Sequence, residues 1–120
     1  MPRLLPFLLS TIVMATGTIA LPASAEVDED AAVALAKKGH CFKCHAVEKR
    51  KKAPSYREVA KKYSSKPDAE KTIYLHITGT PVVKLEEGDE PHAKPPTQDP
   101  QELDNLIKWI LSRDKVPKPD

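Results

Sequence analysis

Cys41-Phe42-Lys43-Cys44-His45 is the stretch on which the reading of this 120-residue chain turns. Its pattern, C-x-x-C-H, is the attachment signature of a covalently bound c-type haem. Two thiols separated by two residues can reach the two vinyl groups on one edge of a porphyrin. The adjoining histidine then falls under the iron. In this reading Cys41 and Cys44 form thioethers and an imidazole nitrogen of His45 is the proximal ligand, while Phe42 and Lys43 set the spacing. Two cysteines in an exported chain could instead form a disulfide, or a thioredoxin-like redox pair. The redox pair needs a strand–helix–strand setting that the flanking sequence does not offer. A closed zinc site needs four ligands, and no second cluster is present. The haem reading is the stronger one.

Working outward, the chain begins with Arg3 and an uncharged apolar run from Leu4 to Leu21, followed by Ala23-Ser24-Ala25. A basic start, an apolar core and an A-x-A site read as a secretory signal peptide over 1–25, cleaved after Ala25. An uncleaved membrane anchor is the alternative. Export to the periplasm fits the motif, because c-type haems are attached outside the cytoplasm. Cleavage leaves 95 of the 120 residues, a single domain over 26–120. A domain of that size, with nine of the chain's twelve prolines and few aromatics, needs a staple, and a haem tied by two thioethers supplies one.

Charge is unevenly spread. Residues 37–71 hold twelve bases, from Lys37 and Lys38 through Arg57 to Lys71, against four acids. Glu26 to Asp30 and Glu86 to Glu90 are acidic. A basic half around the motif could steer an acidic redox partner, although a solvated helix surface accounts for the same residues. Export and the lack of basic–aromatic interleaving argue against nucleic acid, and no membrane association is expected once the leader is removed.

Helical signals recur along the mature chain. Asp28 or Asp30 can cap a helix through Ala31 to Lys37, delivering the chain to Gly39. Ser55 can cap a second helix with Glu58 closing a capping box, and Tyr56, Val59, Ala60 and Tyr63 recur on one face. That stripe fits either the haem or generic core packing. Asp68 is the expected cap of a third helix through Ile73 and Ile77, ending near Gly79. Thr80 to Thr97, with prolines at 81, 91, 95 and 96, is a loop too long to be mere connection. Asp99 as cap, Pro100 at the first position and Glu102 to complete the box start a closing helix. Its apolar face is Leu103, Leu106, Ile107, Ile110 and Leu111, with Trp109 beside it.

The order of helix, C-x-x-C-H, basic loop, Ala53-Pro54-Ser55-Tyr56, helices, proline-rich loop and Trp-containing last helix resembles the small class I cytochromes c across the whole mature chain. The resemblance implies an all-α cytochrome c fold, about four helices around one haem c. It further implies that the Pro54 carbonyl orients His45, and that Asn105 to Ser112 is the closing helix that crosses the first. With them, Tyr56 and Trp109 are the expected further contacts of the cofactor. One departure stands out. The family's sixth ligand is a methionine in the loop before the last helix, and this chain has only Met1 and Met14. His92 in that loop is the expected replacement. Lys94, directly before Pro95-Pro96, matches the methionine's motif position better. Its amine must, however, lose a proton from a reference pKa near ~10.4. His76, on the third helix, is the remaining candidate, and an open site is possible.

The expectation is therefore a periplasmic monohaem electron carrier with His45/His92 coordination. Its potential should lie below that of His/Met relatives by something on the order of 100 mV or more. Its partners would be redox proteins, either a periplasmic oxidoreductase or a respiratory-chain component. No acid–base constellation suggests an enzyme. A haem-based sensor, with a labile His92 that admits a small ligand, is the alternative.

Overall fold

The computed structural model describes residues 26–120, so the leader expected over 1–25 lies outside the described residues. Helix α1 (Glu29–Lys38) starts where the Asp28 carboxylate accepts the Ala31 N–H at 2.9 Å, which makes Asp28 the cap rather than Asp30. Glu29 and Asp30 in its first turn and Lys37 and Lys38 in its last complement the helix dipole. Gly39 ends it. His40 follows in the left-handed region (φ 57°), which histidine enters more readily than most residues. Cys41–Lys43 then make one turn of 3₁₀-helix.

Helix α2 (Tyr56–Tyr63) opens with the capping box expected of it. The Ser55 hydroxyl accepts the Glu58 N–H at 3.1 Å, and the Ser55 N–H donates to the Glu58 carboxylate at 2.7 Å. Helix α3 (Ala69–Thr78) follows Asp68 but is not capped by it. Asp68 has φ −105° and ψ 16°, outside the extended conformation that aims a cap at the first turn, and its carboxylate meets only the Thr72 hydroxyl at 3.4 Å.

The proline-rich segment holds an element with no legible signal. Strand β1 (Val82–Val83) pairs antiparallel with β2 (Glu90–Pro91), Val82 opposite Pro91 and Val83 opposite Glu90. Two residues per strand leave no alternation to read.

Helix α4 (Pro100–Leu111) has Asp99 as its cap, accepting the Gln101 N–H at 2.8 Å, with Pro100 at the start. The expected box with Glu102 does not close. The Glu102 carboxylate takes the Thr97 hydroxyl instead, and the Asp99 N–H donates to Thr97 Oγ1 at 3.1 Å.

Helix α4 is the axis of the domain and packs on α1, α2 and α3. Ala32 and Ala36 lie almost fully buried on α1 and let it approach Leu103, Leu106, Ile107 and Ile110 closely. Burying each large aliphatic side chain contributes about 1.5–3 kcal/mol. The crossing is also fixed by polar groups: the Asp28 N–H donates to Asn105 Oδ1, and Asn105 Nδ2 donates to the Asp28 carbonyl, both at 2.8 Å. Trp109, expected beside the apolar face, is within it at 1% exposure. It packs edge-on against Tyr56 with ring centres 5.3 Å apart. Among the described residues the fold is all-α, with four α-helices and one small hairpin.

Candidate functional site

One wall of the site is built from the C-x-x-C-H turn and the loop after it. His45 N–H bonds back to the Cys41 carbonyl at 3.0 Å, and Ala53 N–H to the Cys44 carbonyl at 3.0 Å. Tyr56 N–H and Arg57 N–H then tie the start of α2 to Ala46 and Val47. His45 Nδ1 is 2.6 Å from the Pro54 carbonyl, which can only accept, so Nδ1 carries the proton and Nε2 is left free. Tyr56 stacks on the imidazole, ring centres 5.0 Å apart and planes 14° from parallel. Burial holds His45 below its usual pKa, in the neutral form that can donate to a metal. Burial likewise raises the Cys41 thiol. Neither cysteine is in a disulfide, so both thiols are available to anchor a group.

Arg57 has a different role from the one its charge suggested. It is buried and grips Glu48 through two hydrogen bonds, Nε to Oε2 at 2.6 Å and Nη2 to Oε1 at 2.9 Å. The pair pins the loop between His45 and α2. Arg57 is therefore not part of an exposed basic face.

The facing wall comes from α3 and the hairpin. His92 directly follows β2, and its N–H donates to the Pro81 carbonyl at 2.7 Å, an extra rung below the strand pair. This places the His92 ring across from His45, centres 6.2 Å apart. His76 meets His92 edge-on at 4.4 Å. Burial lowers the pKa of both His76 and His92. Lys94 is exposed and does not line the site, whereas its neighbours Ala93 and Pro95 do. Of the candidates for the distal position, the fold brings together the two histidines and leaves the lysine outside.

Between the walls lies a cavity of ≈ 870 Å³ bounded by Cys41, Cys44, His45, His76 and His92 and roofed by apolar side chains such as Ile73 and Leu106. That volume is at the upper end of small-molecule pockets. Its donors suit a metal that brings its own in-plane ligands. Among the described residues no group of three or more His, Cys, Asp or Glu could hold a bare ion. Two imidazoles remain, His45 and His92, with ring centres 6.2 Å apart, and these would hold the iron of such a group. The residues fit a covalently tethered porphyrin.

Sequence reasoning did not find every wall residue. Arg50, Lys52 and Lys62, counted in the basic half, reach the cavity, and so do Leu75 and Leu85. No spacing signals them, since loop and helix geometry alone bring them there. Trp109 lies one layer back, behind Tyr56, and is not on the cavity wall.

Residues 30–114 match the cytochrome c family, and the chain belongs to it. It is a class I cytochrome with one covalently attached haem c, a monohaem electron carrier. The chain is 32% identical over 85 residues to cytochrome c2 of Rhodocyclus tenuis, covering 69% of this chain and 92% of that protein. Its fold resembles that of the class 1 cytochrome MtoD from Sideroxydans lithotrophicus ES-1, with a TM-score of 0.69 and 43% identity over 74% of this chain and 99% of that one. Cytochrome c552 of Nitrosomonas europaea is similar at a TM-score of 0.52 and 28% identity, covering 68% and 98%. Among the described residues no helix is long and apolar enough to cross a membrane.

Proposed function

We propose that this cytochrome is an exported, periplasmic carrier whose iron is held by His45 and His92, with Cys41 and Cys44 as the thioether anchors. The observation that carries the reading is the pair of imidazoles facing each other at 6.2 Å across the cavity. The iron supplies a one-electron couple. The chain's own contribution is to hold it: the Pro54 carbonyl fixes the His45 tautomer, Tyr56 stacks on its ring, and the hairpin carries His92 to the opposite side. Arg50, Lys52 and Lys62 on the cavity wall suit the two anionic propionate groups of a haem. Export rests on the leader-like segment over 1–25. With no general acid or base assigned to a substrate, the role is transfer rather than catalysis, and exposed Lys43, Lys49 and Lys51 beside the motif offer a basic docking face for an acidic redox partner.

A second reading, a small-ligand sensor, draws on one contrast. The His45 ring is oriented by a carbonyl, whereas His92 Nδ1 is buried with no hydrogen-bond partner among the described residues.

Equilibrium redox titration of the holoprotein tests the first reading. Imidazole in place of a thioether favours ferric iron, so the midpoint should fall below that of His/Met relatives by on the order of 100 mV. A midpoint equal to theirs would remove the proposal.

A further inference from the structure

The side of the cavity opposite His45 carries two imidazoles, and they differ in how they are held. His92 sits on an irregular segment after a two-residue strand. The rest of its hairpin has one ion pair to the domain among the described residues, Lys52 to Glu87 at 2.6 Å, with both side chains about half exposed, and such pairs are individually weak. Its buried Nδ1 has no hydrogen-bond partner among the described residues, in contrast to the His45 Nδ1 held by the Pro54 carbonyl. His76 is carried by α3, a ten-residue helix whose Ile73 and Ile77 are buried in the core. Its ring lies on the cavity wall and touches that of His92 at 4.4 Å. A short movement of the hairpin would take His92 away and leave a second imidazole, on a rigid element, facing the same space.

We propose that the distal side is a two-histidine site in which His92 is the resident ligand and His76 the reserve, taking the distal position whenever the hairpin releases His92. The inference rests on the bis-histidine reading above. It gives His76 a role that its place outside the usual ligand loop does not suggest, and it assigns the loosely held His92 segment to ligand exchange rather than to gas sensing. The site would stay closed to small molecules even with His92 displaced.

Three variants of the holoprotein, His92→Ala, His76→Ala and the double change, test this through low-temperature electron paramagnetic resonance of the ferric form and carbon monoxide binding to the ferrous form. His76→Ala should match the wild type. His92→Ala should remain a low-spin bis-imidazole species with shifted g values and stay slow to bind carbon monoxide. The double variant should turn high-spin and bind carbon monoxide at least about tenfold faster than either single variant, because occupancy by a competing side chain lowers the open fraction. A high-spin His92→Ala protein would overturn the reserve role while leaving His92 as the ligand. A double variant that stays low-spin would overturn it by showing a third ligand, such as Lys94. A wild-type spectrum without two imidazoles would overturn the coordination reading itself.

Discussion

At the scale of single residues, position 39 is a close approach between the two walls of the site. A Cβ on Gly39 would stand 3.2 Å from Pro95 Cα and 3.3 Å from Cys41 Sγ, so the distal segment and the first anchoring thiol both lean on the missing side chain. Gly39→Ala should cost about 1–3 kcal/mol, the usual range for overpacking, and denaturant unfolding measures it. Glu48 makes a second residue-level prediction. Arg57 holds its carboxyl below the ordinary value of 4.5. A carboxyl with a depressed folded-state pKa contributes stability above its unfolded pKa and loses it as pH falls through the folded value. Wild-type stability should therefore drop as pH falls below about 4.5, and Glu48→Gln should flatten that part of the profile in thermal unfolding. The anchor residues were legible because chemistry fixes their spacing: Cys41, Cys44 and His45 are contiguous in sequence and in space. His76 was legible only as a weak candidate, since its contact with His92 spans sixteen positions and depends on how α3 and the hairpin meet.

Elements followed the sequence where a local hydrogen bond decides them. Ser55 and Glu58 form the box that their spacing predicts, and Asp28 and Asp99 cap their helices. Two local expectations failed, one to a competing partner and one to the backbone conformation at the cap. Thr97 intercepts Glu102, and Asp68 sits in a turn that points its carboxylate away from the first helical N–H groups. The contrast yields a paired test. Asp99→Ala should destabilise the protein by about 0.5–2 kcal/mol, the usual value of a working cap. Asp68→Ala should fall within about ±0.5 kcal/mol, as for surface changes that break no such feature. Denaturant titration of both variants reads the difference, and equal losses would mean that Asp68 does cap α3. The β1–β2 hairpin escaped prediction for a physical reason: strands of two residues, one of them proline, have neither periodicity nor propensity to detect. Its consequence was still visible, because a long proline-rich segment before the last helix is where a site is expected.

At the scale of the whole molecule, four helices carry the two walls and α4 holds them in place. The individual helices were readable from periodicity and caps, and the all-α class and the crossing of α1 and α4 from the resemblance. What could not be read was the cavity itself, whose apolar roof and four cations (Arg50, Lys52, Lys62 and Lys84) are drawn from segments far apart in sequence. The loss of a mature-chain methionine was plain in the sequence, but only the fold shows that His92 faces His45 while Lys94 turns outward. Near-infrared magnetic circular dichroism of the ferric holoprotein tests that central claim most directly, because the ligand-to-metal band reports the axial pair. Bis-imidazole coordination predicts a low-spin band of the His/His type, unchanged between pH 7 and the onset of lysine titration near ~10. A high-spin spectrum, or a low-spin band that gives way to an amine-ligated form as pH rises, would contradict it.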